Sequence, residues 1–297
     1  MSSVKTFQIN QFNNIGSLWG SAPVDDNIIT EEPLEIWLQL LAASPTQASV
    51  LTAKPLLILM RTPGDDINLV TGWLLTSGTI DNLSQIKAIH HSGLDRVKQG
   101  SSNRVLVTLS AEVKLDLAGL NRQEYASSAC GVCGQQSIET ILLRLEQKQQ
   151  AQRQDYSSLK VEFIGVLMTQ FSQALPLFAQ TGGNHGVALF NQLTGIVDVR
   201  EDVGRHNALD KLIGANAELL LSANERNHGL GVILSGRVGF EMIQKAAMAN
   251  INYVLALGAP STLAIELAKE ADIVLVGFIK AQRFNVYCGQ QRLVLPK

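Results

Sequence analysis

The chain has 297 residues, 46% of them hydrophobic, and a formal net charge of −2. This length and apolar content allow one large globular domain or two modest ones. The near-neutral charge does not favour general nucleic-acid binding, so an anionic ligand would have to meet a local cluster of basic side chains. The first five residues are polar and lack a signal-peptide core, and no apolar run reaches bilayer length. With three cysteines, an odd number, these features predict a cytoplasmic protein without a disulfide scaffold.

The first 120 residues contain two kinds of segment. Residues 1–27 predict a loosely ordered arm that carries at most a short edge strand. Residues 28–120 predict a small α+β unit, with one helix that ends near Ser77. Its predicted strands lie at 34–41, 55–60, 85–91 and 104–109. His90 and His91 are neighbours on one of those strands and therefore face opposite sides, so they do not predict a metal site.

Residues 121–158 hold a cysteine motif, a helix and a polar linker. Cys130 and Cys133 are separated by two residues, and a glycine follows each of them. Glycine permits a tight turn and leaves the sulfur atoms unshielded. Apolar residues at helical spacing come next, so Cys133 precedes a helix N-terminus, where a thiolate is stabilised. An accessible thiolate beside a second thiol predicts sulfur chemistry.

Two other interpretations of the cysteine pair remain open. A structural zinc site needs four ligands, but the third cysteine, Cys288, is distant in sequence and the histidines are scattered. A thioredoxin-like redox pair normally follows the first strand of a βαβ unit, whereas a polar stretch at 121–125 precedes this pair.

Residues 159–297 predict an α/β domain built on a mostly parallel, three-layer sheet. Short apolar runs alternate there with amphipathic helices, as in sheets that are covered on both faces. The predicted helices lie at 161–173, 205–213, 240–249 and 261–271. The predicted strands lie at 187–190, 195–199, 231–234, 253–257, 273–279 and 284–288.

Ligands bind such sheets beyond the carboxyl ends of the strands. Three loops at predicted strand ends, at 235–237, 258–261 and 278–283, offer free backbone N–H groups or positive side chains. A dense polar cluster at 201–207 precedes another helix. We expect these loops to converge on the carboxyl-end edge of the predicted sheet, and together they predict a large, anionic, nucleotide-like ligand. The phosphate-binding motifs of P-loop and dinucleotide-binding proteins are absent from the sequence.

Several motifs together resemble one known family, the formate dehydrogenase accessory sulfurtransferases. The matching pieces include Cys130-Gly131-Val132-Cys133-Gly134, Thr181-Gly182-Gly183, Ser235-Gly236-Arg237, and Gly277-Phe278 through Tyr287. The most specific piece is Glu201-Asp202-Val203-Gly204-Arg205-His206-Asn207-Ala208, which continues to Asp210 and Lys211. The resemblance spans most of residues 120–290, and Thr62-Pro63-Gly64-Asp65 extends it loosely into the first third of the chain.

The resemblance implies a sulfurtransferase that is required for formate dehydrogenase activity. Such a protein takes sulfur from a cysteine desulfurase as a cysteine persulfide. It passes that sulfur to the molybdenum of bis(molybdopterin guanine dinucleotide), which is bound as a substrate before its insertion into formate dehydrogenase. The resemblance also implies that the second half has the cytidine deaminase fold without the deaminase zinc. The sequence agrees with that absence, because no His-x-Glu occurs and no proline precedes Cys130.

Site residues follow from the same resemblance. The resemblance implies that Cys130 is the persulfide carrier. Our own hypothesis is that Cys133, which lies nearer the predicted helix, assists release. The cofactor, or a guanine nucleotide that mimics it, is held by Phe278, Ile279, Lys280, Ala281, Gln282 and Arg283. Further candidates are His185, Asp202, Arg205, His206 and Arg237. The sequence departs from the family pattern at Gly239, Asn250 and Lys280, where serine, glycine and arginine are usual.

Some expectations about function stay open at this point. The alternative to sulfur transfer is a nucleotide-binding assembly factor whose cysteines are redox-sensitive and turn over no sulfur. The expected partners are a cysteine desulfurase and a formate dehydrogenase, with no nucleic acid and no membrane. A homodimer is compatible with the sequence, which does not show the oligomeric state.

Overall fold

The computed structural model describes residues 2–41, 52–93, 103–113, 158–222 and 229–296. Nearly all of the predicted cysteine segment at 121–158, including Cys130 and Cys133, lies outside these ranges.

The chain opens with a regular antiparallel ribbon. Strands β1 (Val4–Ile15) and β2 (Leu18–Ile29) pair along their whole lengths. The turn between them consists of Gly16 and Ser17, both with positive φ, as a two-residue hairpin requires. The expectation of a loosely ordered arm with at most a short strand is therefore wrong. Asparagine and glutamine occupy many positions of this ribbon, so the alternation that normally reveals a strand is weak.

The first α+β unit matches its prediction closely. Its elements are β3 (Glu32–Leu40), β4 (Lys54–Arg61), α1 (Asp66–Thr76), a 3-10 turn (Leu83–Gln85), β5 (Ile86–His91) and β6 (Arg104–Leu109). The sheet order is β4-β3-β6-β5, in which only β3 and β6 run parallel. Alternate residues of β3, Leu34, Ile36 and Leu38, are buried, so one face of this sheet packs into the core.

The second unit contains the following helices: α2 (Val161–Gln173), α3 (Pro176–Thr181), α4 (Arg205–Ala215), α5 (Ala217–Leu221), α6 (Phe240–Met248) and α7 (Thr262–Glu270). Its main strands are β8 (His185–Asn191), β9 (Gly195–Asp202), β10 (Leu230–Leu234), β11 (Tyr253–Ala256), β12 (Val274–Lys280) and β13 (Arg283–Cys288). Two short strands, β7 (Leu159–Lys160) and β14 (Leu293–Val294), pair in parallel beside the main sheet, with a 3-10 turn at Gln290–Arg292 before β14. All predicted elements in this part are present.

The six-stranded sheet is mixed, so the expectation of a mostly parallel sheet is wrong. Its order is β13-β12-β11-β10-β8-β9, and only the β10–β11 and β11–β12 pairings are parallel. The other three pairings are antiparallel, because tight hairpins join β8 to β9 and β12 to β13 and because β8 lies against β10. The likeness to the cytidine deaminase fold stays an expectation.

Helices cover both faces of this sheet, as predicted. Residues of α2, among them Ile164, Leu167 and Phe171, pack with Phe190 and Tyr253 on one face. Helices α4, α6 and α7 cover the other face. Helix α1 packs against α4, so a single hydrophobic core runs from the first sheet to the second.

The backbones of α1 and α4 touch where two glycines face each other. A Cβ atom on Gly72 would lie 1.9 Å from the carbonyl oxygen of Asp210, and one on Gly214 would lie 1.9 Å from that of Asn68. Both partners are main-chain atoms, so neither contact could be relieved by a side-chain rotation. The two units therefore dock only because these helix positions lack a side chain.

Substitution Gly72→Ala should destabilise the protein by about 1–3 kcal/mol or more, because the two helices must move apart to admit a methyl group. Denaturant unfolding followed by circular dichroism measures the loss. Gly165→Ala is the matched control: Gly165 also lies in a helix, nothing lies within 4 Å of its added Cβ, and alanine is the better helix former. Equal stabilities of the two variants would contradict the close docking of α1 and α4.

Candidate functional site

Most of the predicted ligand residues lie along one edge of the six-stranded sheet. Because β8 runs antiparallel to β9 and β10, its first residue, His185, shares an edge with the carboxyl ends of β9, β10, β11 and β12. We call this edge the strand-end rim, made of His185 and residues 235–237, 258–260 and 277–283. The sequence predicted that these loops converge, and the structure confirms that they do.

Backbone hydrogen bonds hold the rim loops against one another. The Gly258 N–H donates to the Gly236 carbonyl at 3.2 Å, and the Phe278 N–H donates to the Gly258 carbonyl at 3.1 Å. A Cβ atom on Gly258 would lie 2.6 Å from that Gly236 oxygen, so only glycine allows this approach. The rim is therefore a continuous surface formed by three successive loops.

The predicted cofactor segment forms an irregular hairpin between β12 and β13. Pairing of β12 with β13 shifts register between Gly277 and Lys280, which is a bulge. Within the bulge Phe278 has a φ of 52° and is 42% exposed, while Ile279 is buried. A left-handed conformation is unfavourable for a bulky residue. The strained residue at the rim is therefore an exposed aromatic one, and backbone strain of this kind often occurs at functional sites.

Two like charges face each other across the tip of this hairpin. Lys280 pairs with Arg283, and both side chains are exposed, as are Ala281 and Gln282 between them. Like charges directly opposite each other on paired strands destabilise the pairing. Within the described part of the chain neither cation forms an ion pair with a carboxylate. An anion bound at the tip would remove the repulsion.

A second basic cluster lies at the β8 and β9 end of the rim. Arg205 is the first residue of α4. Burial, and after it the charge of Arg205, lowers the pKa of His185. The Nε atom of Arg205 is buried and has no hydrogen-bond partner among the described residues. Burying an unpaired guanidinium N–H is costly, so this cluster too favours an anionic group. Arg237 lies on the neighbouring loop and is exposed.

His206 is a neutral, largely buried imidazole. Burial first, then the charges of Lys245 and Arg205, lowers the pKa of His206 from 6.5 to about 3. Its Nε2 atom lies 3.5 Å from the carboxylate of Glu241, but the ring is uncharged near neutral pH, so this contact is not an ion pair. Glu241 stands in the first turn of α6, and nothing in the sequence indicated that it would meet His206.

Asp202 has a structural role, contrary to its selection as a ligand candidate. It is fully buried and pairs with Lys211 at 2.8 Å. Its oxygens also accept hydrogen bonds from the Thr62 and Gly204 N–H groups and from the Asn207 amide. Every acceptor position is therefore occupied from within the protein.

The rest of this motif also joins the two units. Lys211 donates to the Thr62 carbonyl, and Asn207 donates to the Met60 carbonyl. The residue before Lys211, Asp210, pairs with Lys245 at 2.7 Å and accepts a hydrogen bond from Thr76 of α1. Burial raises the pKa of Asp210 although Lys245 opposes that shift. The most specific motif in the sequence thus contributes more to assembling the fold than to the rim.

Cys288 is not equipped to carry sulfur. It is 7% exposed, and its thiol donates to the Ile273 carbonyl at 3.1 Å. Burial raises the pKa of this thiol above its ordinary value, so it stays protonated near neutral pH. Of the three cysteines, only Cys130 and Cys133 remain as candidates.

Neither a metal site nor a membrane span is found in the described ranges. No group of three or more His, Cys, Asp or Glu side chains is placed there to bind a metal ion. His91 lies 3.6 Å from Asp66, an acidic neighbour that the sequence did not reveal. No helix of the described chain is both long and apolar enough to cross a bilayer.

The neutral His206 predicts a specific dependence of stability on pH. The folded protein protonates His206 near pH 3 and the unfolded chain near pH 6.5, so between these values the unfolded state holds the extra proton. The free energy of unfolding should therefore fall as pH drops through this window, by up to about 1.4 kcal/mol per pH unit for one proton. In His206→Gln this part of the slope should vanish.

Denaturant unfolding at several pH values between 3 and 7 compares the slopes of the two proteins. His90→Gln, which removes an exposed histidine of β5, is the matched control. A slope that is the same in His206→Gln as in the parent would show that His206 is not held neutral by the fold.

The fold has a close counterpart among solved structures. A crystal structure described as a formate dehydrogenase accessory protein from Desulfotalea psychrophila superposes with a TM-score of 0.66. The match covers 97% of this chain and 99% of that one, at 22% sequence identity. At this identity the likeness establishes the shared fold alone.

Comparisons of the amino-acid sequence show the family as well as the fold. Proteins named sulfur carrier protein FdhD are 36% identical to this chain in Streptomyces avermitilis, over 91% of this chain and 90% of the relative, and 33% identical in Thermoplasma acidophilum, over 99% and 95%. The model of the FdhD/NarQ family matches residues 43–294. The chain therefore belongs to the FdhD/NarQ family.

Proposed function

We propose that this protein is a sulfurtransferase that carries sulfur to the molybdenum cofactor of formate dehydrogenase. The observation that supports the proposal is the strand-end rim, where Phe278 has a strained backbone and where Lys280 and Arg283 face each other without a carboxylate partner among the described residues. The names of the relatives, sulfur carrier protein, support the sulfur half of the proposal. The cysteine pair supplies the chemistry.

The first step is capture of sulfur from a cysteine desulfurase. The Cys130 thiolate attacks the outer sulfur of the donor's persulfide, and a new S–S bond forms as the old one breaks. The donor's cysteine leaves as a thiolate with the electron pair. Cys130 then holds the outer sulfur as a persulfide. The resemblance assigns this role to Cys130, and Cys133 stands two residues away.

The second step is release. The Cys133 thiolate attacks the Cys130 sulfur, a disulfide forms between the two residues, and the outer sulfur leaves as sulfide toward the molybdenum of the bound substrate. A cellular dithiol must then reduce the disulfide before the next cycle. Two adjacent thiols are needed for this step, which explains the spacing of the pair.

The cofactor's guanine dinucleotide arms would lie along the rim. The exposed ring of Phe278 offers a face on which a base can stack, and Lys280 and Arg283 neutralise phosphate. Arg205 follows β9, which lies four strands from β12, or about 19 Å at ordinary strand spacing. A ligand with several phosphates could therefore meet both basic clusters at once.

Incubation with a cysteine desulfurase and cysteine should add one sulfur atom to the protein. Intact-mass spectrometry should show the added mass in the parent and in Cys133→Ala, but not in Cys130→Ala. Cys288→Ala, which removes the buried thiol, is the matched control and should load normally. Loading that persists in Cys130→Ala and disappears in Cys133→Ala would reverse the roles of the two residues.

Removing both hairpin cations should weaken nucleotide binding. Each charge-assisted contact contributes about 1–3 kcal/mol, so Lys280→Ala/Arg283→Ala should raise the Kd for guanosine diphosphate by at least about tenfold. Isothermal titration calorimetry measures the change. Lys54→Ala/Lys160→Ala removes two exposed charges elsewhere and is the matched control. Unchanged affinity in the hairpin variant would place the nucleotide away from Phe278–Arg283.

The alternative is an assembly factor that binds the cofactor and transfers no sulfur. The two functions differ in whether the persulfide on Cys130 disappears when cofactor is added. Cells that carry only Cys130→Ala should lack formate dehydrogenase activity if sulfur is transferred. Full activity in those cells would favour the alternative.

A further inference from the structure

A histidine ring is built into the strand-end rim. His185 is the first residue of β8 and is half-buried. A Cβ atom on Gly236 would lie 3.3 Å from the Nδ1 atom of His185 and 3.4 Å from its Cε1 atom. The ring therefore packs against the neighbouring loop at the one position of that loop without a side chain, and this packing fixes its place on the rim.

The two ring nitrogens of His185 are available to a ligand. Among the residues that the structure describes, neither nitrogen forms a hydrogen bond or an ion pair. The other ionisable side chains of the rim, Arg237, Lys280 and Arg283, are hydrogen-bond donors without an acceptor. A neutral imidazole has one N–H donor and one acceptor nitrogen. Of the ionisable rim side chains, His185 is therefore the one suited both to take up a proton and to give it back.

The charges around the ring keep it neutral near pH 7. Burial, and after it the charge of Arg205, lowers the pKa of His185 from 6.5, whereas the charge of Asp202 opposes that shift. Asp202 lies opposite His185 on β9, Arg205 and His206 begin α4, and Arg237 follows Gly236 on the loop that meets the ring. His185 therefore presents a free acceptor nitrogen near neutral pH.

The proposed release step requires the movement of a proton. The attacking thiol reacts only as its thiolate. A sulfide dianion is strongly basic, and thiol–disulfide exchange slows as the leaving group becomes more basic. One group that removes the proton of the Cys133 thiol and delivers it to the departing sulfur would assist both parts of the step. General acid–base catalysis of this kind accelerates reactions by about 10²–10⁴-fold.

We propose that His185 is the proton-transfer residue of sulfur release, an inference that rests on the proposed function. The step converts the Cys130 persulfide anion and the Cys133 thiol into a disulfide and hydrosulfide. A bond forms between the two cysteine sulfurs while the bond to the outer sulfur breaks, and the outer sulfur leaves with the electron pair. The cysteines are oxidised and the outer sulfur is reduced. The proton passes from Cys133 to His185 and then to the departing sulfur, so the step balances without a further reactant.

A single-turnover experiment on the full-length protein tests this role. Cys130 is loaded by a cysteine desulfurase, the desulfurase is removed, and bis(molybdopterin guanine dinucleotide) is added. Intact-mass spectrometry then follows the loss of the added sulfur. At pH 7, His185→Gln should load fully but release sulfur about 100-fold more slowly, because glutamine forms hydrogen bonds without exchanging a proton. His90→Gln, which removes an exposed histidine of β5, is the matched control and should release at the parental rate.

The pH profile and chemical rescue separate proton transfer from a structural role. The parental rate should be level from pH 8 to 6.5 and fall below, because protonated His185 cannot accept the thiol proton. His185→Gln depends on thiolate already formed, so its rate should fall about tenfold per pH unit at every pH below the ordinary thiol pKa of about 8.5. Free imidazole should accelerate His185→Ala at least tenfold and leave the parent unchanged.

The outcomes distinguish this inference from the proposed function. Release by His185→Gln at the parental rate, or a slow His185→Ala that imidazole does not accelerate, would overturn the role of His185 alone. So would weaker binding of guanosine diphosphate by His185→Gln, since the residue would then hold the ligand. A parent that never loads sulfur, or that keeps its sulfur after the cofactor is added, would refute the proposed function and this inference with it.

Discussion

The structure depends on a buried ion pair between Asp202 and Lys211. Both residues belong to the second unit, but Thr62 of the first unit completes the pair, since its N–H donates to Asp202 and its carbonyl accepts from Lys211. A buried pair is costly to desolvate and tolerates the loss of neither partner. The two units therefore cannot separate without leaving both charges short of hydrogen bonds. This one contact fixes β9 and α4 relative to the first sheet and so sets one end of the rim.

The sequence revealed most of the fold because periodicity is a local property. Alternation identified strands such as β3, and helical spacing identified α2, where Ile164, Leu167 and Phe171 face the core. The same signal could not reveal strand direction. A parallel sheet and a mixed one both bury continuous apolar strands when helices cover both faces. The position of β13 along the chain was therefore predicted correctly, but its antiparallel direction was not, because a mostly parallel sheet was expected.

The site was harder to predict than the fold, because charge and burial are set by distant contacts. Asp202 and Arg205 stand three residues apart in one polar motif. Asp202 is fully satisfied inside the protein, whereas the buried Nε of Arg205 has no partner in the part of the chain that the structure describes. One of the partners of Asp202 is the N–H group of Thr62, about 140 residues earlier in the chain, and no local pattern reveals that contact. The display of Phe278 follows from a register shift with β13, which no local pattern encodes.

The long separation between Thr62 and Lys211 has a consequence for synthesis. These residues are 149 positions apart, so at 5–20 residues per second the ribosome needs about 7 to 30 s to supply the second after the first. During that interval the inner face of α1 has no α4 to cover it. The nascent chain therefore passes through a period in which α1 is already synthesised but its apolar inner face is uncovered, and this surface is prone to aggregation until α4 follows.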